Sequence, residues 1–365
     1  MSAAGSRGRP RSLARAVTLA DVAAATGVSH QTVSRVLNDS PAVRPETRER
    51  VAAVIEQLGY RPNPAARALA TRRSLTLGVV SFDPTLHGPA STVHGIEVAA
   101  RAAGYFVSVA GLDSPGADGV RRALDRLVGQ AVDGVVLIAP FHEAAAAAAE
   151  LAERVPVVVV GAGGSTGMPC VGVDQVEGAR LATAHLLDQG AGTVFHVAGP
   201  EGWTESEERA DGWRAALEAA GRPVPPVVGG TWRPSAGYEA GRLLAARGDV
   251  EGVFVANDQM ALGLLRAFGE AGLRVPEDVL VVGFDDVPEA AYYSPPLTTV
   301  RQDFARVGRR SIDLLVERLA QGASVPARYD VVPPELVVRS SSVRARTRRA
   351  QQGRRAPAEG ARSAR

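Results

Sequence analysis

The chain has 365 residues, 45% of them hydrophobic and 22% charged, a globular balance with room for two or three domains. Its one cysteine, Cys170, excludes a disulfide framework, and no apolar run reaches signal-peptide or membrane-span length, which points to the cytoplasm. The net charge of +2 conceals a partition among 41 basic residues that are all Arg: residues 1–75 carry 12 Arg against 5 acids, residues 341–365 carry 8 against Glu359, and the rest is acidic.

Residues 1–16 are Arg-rich without periodicity and read as a disordered basic N-terminus. At residue 17 a helical pattern begins. Thr18 followed by Asp21 makes a capping-box start, and Leu19, Val22 and Ala23 give a short helix its apolar side. Gly27 supplies a turn and Ser29 can cap the next helix, so the two helices form a helix-turn-helix. In SHQTVSRVLN, residues 29–38, Val33, Val36 and Leu37 share one side. Ser29, His30, Gln31, Thr32, Ser34 and Arg35 face elsewhere. The second helix of such a motif enters the major groove, where Gln pairs with adenine, Arg with guanine, and hydroxyls with base or phosphate. His30, Gln31 and Arg35 are therefore candidate base readers, on a basic head suited to a polyanion. A third helix follows, with Pro45 in its first turn, Val51, Val54, Ile55 and Leu58 on one face, and Gly59 beyond its end.

The stretch NPAARALA, 63–70, has a cap, a first-turn Pro and four Ala, yet is too short to be stable as an isolated helix. It reads as a helix that forms only when packed on a partner. From Leu75 short apolar runs (LTLGVV, GVVLIAP, VPVVVVG, DVLVVGFDD) alternate with amphipathic stretches, the pattern of βαβ units in parallel sheets, with strands enough for two lobes. EAAAAAAE at 143–150 reads as a helix. Ligands in open α/β sheets gather at the carboxyl ends of strands. Three such ends are polar: Asn257-Asp258, Asp285-Asp286 and Gln302. With Arg209 and Trp232 they make a saccharide-binding kit, in which carboxylate, amide and guanidinium bond neighbouring hydroxyls and an indole covers the C–H face. Asp258 also reads as the cap of the helix that follows it.

The motifs VTLADVAAATGVSHQTVSRVLN, VRPETRERVAAVIEQLGYRPNPAARALATRRS, VANDQMALG, VVGFDD and PPLTTVRQDF together resemble the lactose-repressor (LacI/GalR) family of bacterial transcription regulators, over about residues 17–342. The later segments sit nearer its lactose-sensing than its purine-sensing branch. The resemblance implies a small all-α helix-turn-helix domain (17–61), a hinge helix and linker (62–74), and a bilobal, periplasmic-binding-protein-like α/β domain (75–342). Lobe one would span about 75–173 and 302–331, and lobe two about 174–301 and 332–342. It also implies base reading by His30, Gln31 and Arg35, phosphate contacts from Thr18, Ser29, Thr32, Ser34 and Asn38, and a minor-groove wedge at Leu69. Arg44 stands where the family often has Ser, so that contact differs. Arg209, Asn257 and Asp285 match the family's effector contacts, and Trp232, Gln302 and Phe82 complete the expected effector site.

Departures fall mainly on the first lobe. Phe82 replaces a small hydroxyl, Gly161 an acid, Ile138 an amide, and on the second lobe Glu205 replaces another hydroxyl. The expected effector is a saccharide or glycoside with a more apolar or differently shaped end; a nucleobase stacked on Phe82 is the competing class. A homodimer on a pseudo-palindromic operator is expected, a repressor released by its sugar. The tail 343–365 lacks any Leu, Ile or Val after Val343, so it offers no coiled-coil seam and reads as disordered and basic, its charge equally that of a solvated tail. No catalytic motif, metal spacing or cofactor signature is present: a Walker loop needs a Lys, and no His has a partner at zinc spacing. The chain is not expected to be an enzyme; a non-specific nucleoid-type DNA binder is the remaining different class.

Overall fold

The structure, a computed structural model, describes residues 17–37, 39–61, 68, 71, 73–112, 116–138, 141–161, 167–321 and 327–344. The expectations for residues 1–16, Asn38, Leu69 with most of the hinge, and the tail beyond 344 lie outside these residues. Contacts divide the chain into two compact units, Met1–Ser74 and Leu75–Arg365.

The first unit holds three helices, α1 (Leu19–Thr26), α2 (His30–Leu37) and α3 (Pro45–Leu58). The capping box forms: Thr18 Oγ1 accepts the Asp21 N–H at 3.3 Å, and the Asp21 carboxylate accepts the Thr18 N–H at 2.8 Å. Ser29 Oγ accepts the Thr32 N–H at 3.1 Å and so starts α2. Val22, Ala23, Val33, Val36 and Val51 are buried together, with Val54, Ile55 and Tyr60 against them. Arg48 braces the α2–α3 loop, donating to Asp39 Oδ1 at 3.0 Å and to the Ser40 carbonyl at 2.6 Å.

The second unit contains two sheets. The first runs β10-β5-β4-β3-β1-β2 and the second β11-β9-β8-β7-β6. In chain order the elements are β1 (Thr76–Ser81), α4 (His87–Ala102), β2 (Phe106–Gly111), α5 (Ala117–Gly129), β3 (Gly134–Ile138), α6 (His142–Ala152), β4 (Val157–Val160) and β5 (Cys170–Val173). Then follow α7 (Gln175–Asp188), β6 (Phe195–Val197), α8 (Thr204–Ala219), α9 (Pro234–Ala245), β7 (Gly252–Val255), α10 (Asp258–Glu270), β8 (Leu280–Asp285) and β9 (Thr298–Arg301). The chain closes with α11 (Phe304–Gln321), β10 (Tyr329–Val332) and β11 (Glu335–Val337).

Among the described residues every pairing is parallel except β11 with β9, which is antiparallel. Val-rich β3 and β4 are buried throughout, because helices cover both faces of a parallel sheet. The Ala-rich segment is helix α6. Between β5 and α7, between β9 and α11, and between β10 and β11 the chain passes from one sheet's lobe to the other's. Among the described residues no helix is long and apolar enough to cross a membrane.

Where α4 crosses α11, Gly95 and Gly308 let the backbones touch: a Cβ on Gly308 would stand 2.4 Å from the Gly95 carbonyl carbon. The crossing lies near the start of α11, whose first residue Phe304 lines the cleft between the lobes together with Gln302 just before it.

Candidate functional site

Strands of both sheets end at one cleft, whose space of about 740 Å³ includes open solvent. Lobe one contributes Leu86, His87, Ile138, Val160, Val173 and Phe304, an almost wholly apolar wall. Lobe two contributes Trp203, Glu205, Arg209, Trp232, Asn257 and Asp285, while Gln175 and Gln302 lie at the crossings.

The polar groups form one relay. Arg209, on the buried side of α8, donates Nε–H to Gln175 Oε1 at 2.8 Å and another N–H to the Ala256 carbonyl. Gln175 Nε2 donates to Gln302 Oε1 at 2.9 Å, and Gln302 Nε2 donates to Asp285 Oδ1 at 2.7 Å. Arg209 closes the loop 3.9 Å from that same carboxylate oxygen, with its guanidinium 3.9 Å above the Phe284 ring. Burial pushes the Asp285 carboxyl above the ordinary aspartate value, while Arg209, His87 and the Gln302 amide pull it back.

Asp285 has φ 109°, a conformation rare for a residue with a side chain. Its neighbour anchors the turn: Asp286 accepts from Arg301 at 2.7 Å and from Arg339 at 2.6 Å. The strain turns the Asp285 carboxylate into the cleft.

Asn257, rather than Asp258, caps α10, its Oδ1 accepting the Met260 N–H at 2.7 Å. Its Nδ2 donates to the Trp232 carbonyl at 3.1 Å, which ties the amide to the indole's loop. The cap expected at Asp258 is thus corrected. That carboxylate is fully buried and accepts from Thr299 Oγ1 at 2.6 Å and from the Val287 N–H at 2.9 Å. Burial raises its pKa well above the ordinary value, and nearby Asp285 adds to the rise. Trp232 lies against Gly199, where a Cβ would meet its ring at 2.3 Å.

Of the residues singled out in the sequence, Arg209, Trp232, Asn257, Asp285 and Gln302 all line this cleft. Phe82 does not. Its side chain packs with the lobe-one core, edge-on to Phe141 at 5.3 Å and to Trp203 at 5.2 Å. Trp203 takes the position facing the ligand space. Sequence reasoning missed Trp203 and Gln175, which stand at helix starts in the structure, Trp203 just before α8 and Gln175 as the first residue of α7. No group of three His, Cys, Asp or Glu among the described residues is placed to hold a metal.

On the first unit, His30, Gln31 and Arg35 are exposed along α2, opposite the buried Val33 and Val36. Ser29 is exposed, and Thr18, Thr32 and Ser34 are half-buried on or beside α1 and α2.

A helix-turn-helix unit joined to a two-lobed α/β unit with a polar cleft defines a ligand-responsive DNA-binding regulator. Residues 18–63 match the model of bacterial regulatory proteins of the lacI family, and residues 183–342 that of the periplasmic binding protein-like domain. The lactose operon repressor of Escherichia coli (strain K12) is 36% identical over 338 residues, 92% of this chain and 93% of its own length. The HTH-type transcriptional regulator CelR of Thermobifida fusca is 37% identical over 342 residues, 90% and 98% of the two chains. The HTH-type transcriptional repressor PurR of Haemophilus influenzae (strain PittEE) is 32% identical over 331 residues, 89% and 98%. Among solved structures, the lac repressor dimer bound to operator and the anti-inducer ONPF matches with TM-score 0.85 at 35% identity, covering 90% of this chain and all of that one. The CelR–cellobiose complex matches with TM-score 0.68 at 35% identity, covering 89% and 99%. The chain belongs to the LacI family and is a DNA-binding transcriptional regulator, as the named relatives are.

Proposed function

We propose that this protein is a cytoplasmic repressor that binds a pseudo-palindromic operator as a homodimer and leaves it when a saccharide fills the cleft. The observation that carries the saccharide is the relay of Arg209, Gln175, Gln302 and Asp285 beside Trp232: directed hydrogen bonds next to an indole face, with no metal required. His30, Gln31 and Arg35 read bases, and Thr18, Ser29, Thr32 and Ser34 hold phosphates; the same roles for Asn38 and Leu69 fall on residues outside those described. The homodimer is supported by exposed apolar side chains on the second unit, Val98 on α4 and Phe106 and Val109 on edge strand β2. Operator DNA in one solved relative and cellobiose in another support the same two partners.

The test is isothermal titration of the full chain against sugars and nucleobases, with Asp285→Ala alongside. Binding of a sugar, lost in the variant, is expected. Binding of a nucleobase and of no sugar would replace the effector class.

A further inference from the structure

Charge in the cleft is unbalanced. The titratable side chains that line it are Glu205, Asp285, Arg209 and His87. Two further carboxylates, Glu208 a turn along α8 and the buried Asp258, also act on Arg209. Asp174, ahead of α7, acts on Glu208, and His87, from α4 on lobe one, acts on Asp285. One guanidinium thus stands among four carboxylates.

That guanidinium is engaged away from Glu205. Its Nε–H goes to Gln175, another N–H to the Ala256 carbonyl, and its Nη2 stands 3.9 Å from Asp285. Its plane lies 3.9 Å from the centre of the Phe284 ring and 5.4 Å from that of Trp232. Among the described residues no side chain donates a hydrogen bond to Glu205. Lobe one offers nothing to it either: Ile138, Val160 and Val173 are apolar, and Gly161 has no side chain.

Burial pushes the Glu205 carboxyl up and Asp285 adds to the rise, while Arg209 and the residue's own backbone N–H oppose it. Ligand hydroxyls would meet the hydrogen-bonding capacity of this carboxylate but leave its charge beside that of Asp285. An ammonium group supplies three donors and the missing opposite charge together.

We propose that the effector is an amino sugar, its ammonium group seated at Glu205 and its hydroxyls at Asp285 and Asn257. This rests on the saccharide reading above and adds the charge of the ligand to it. The same field disfavours phosphorylated sugars and uronic acids by like charge. Only the ionised carboxylate attracts an ammonium group. Because the Glu205 carboxyl titrates above its ordinary range, affinity for the amine rises with pH as that carboxyl ionises, more steeply than affinity for a neutral sugar.

The test is calorimetric titration of the full-length protein with glucosamine, galactosamine, kanosamine and the glucosamine dimer, each beside its hydroxyl and N-acetyl counterparts, at pH 5 and pH 7. At least one amine is expected to bind about ten-fold or more tightly than both counterparts at pH 7, with a smaller advantage at pH 5. In Glu205→Gln and Glu205→Ser, each checked for a native melting transition, the amine and its hydroxyl counterpart are expected to bind within about two-fold of each other. Hydroxyl forms that bind as tightly as every amine overturn the ammonium group and leave the saccharide reading standing. An amine preference that survives both substitutions overturns its placement at Glu205. Absence of binding by every sugar overturns both readings.

Discussion

Glu208 sits half-buried on α8, and its carboxyl is pushed up to about 7, first by burial, then by the charges of Glu205 and Asp174, against the pull of Arg209. A raised carboxyl pKa means that the folded state prefers the protonated form. The associated stability is fully present below the unfolded-state value and is lost as pH rises through the folded-state value. Glu208→Gln is therefore expected to raise the melting temperature clearly at pH 8 and little at pH 5; equal shifts at both would show that the charge is not the cause. At Arg35 the expectation concerns sequence rather than stability. Arg35→Ala should weaken operator binding by about 1–3 kcal/mol and relax the preference for guanine at one position, as read by selection from a random duplex library. The cleft residues that the sequence revealed were those at strand ends flanked by recognisable runs, such as Asn257 after GVFVA and Asp285 after LVVGF. Trp203 was hidden because nothing in a loop's composition says which side chain turns toward a crevice. Phe82 was misplaced for the same reason: it follows the last residue of β1, and packing against Phe141 directs its ring.

Helices and strands were legible where one physical signal dominated: buried runs of Val for β3 and β4, and the capping box for α1. The capping of α10 was not, because Asn257 and Asp258 are both good caps and only tertiary contacts with Thr299 and Val287 claim the second. The α4–α11 crossing was equally invisible, since its glycines are far apart in the chain. Gly308→Ala places a methyl 2.4 Å from Gly95, with backbone on the opposing side, and is expected to cost about 1–3 kcal/mol in urea unfolding. Gly129→Ala, at the end of α5 with nothing within 4 Å, is the matched control and is expected to be neutral or slightly stabilising.

Across the whole molecule, the relay places its two amides, Gln175 and Gln302, next to two of the three passages between the lobes. A ligand drawn to Asp285 therefore acts on the segments about which the lobes move, and it shifts their arrangement only by its differential contacts. Saturating sugar is expected to lower operator affinity about 5- to 150-fold in fluorescence anisotropy, the usual size of such couplings. A rise in affinity would instead mark corepression. Phe106, 74% exposed at the start of edge strand β2, is expected to lie in the dimer contact, so Phe106→Asp should reduce the mass seen by light scattering.

The passages between lobes also set an order of events during synthesis. One edge strand of the first sheet, β10, ends at Val332, after every strand of the second sheet except β11. Neither lobe can be completed until nearly the whole chain has left the ribosome, and both are completed almost together. The first unit has its own buried core and emerges before any of this, free to fold as soon as it appears. A chain cut short by premature termination would thus carry a folded DNA-binding unit without a sensor.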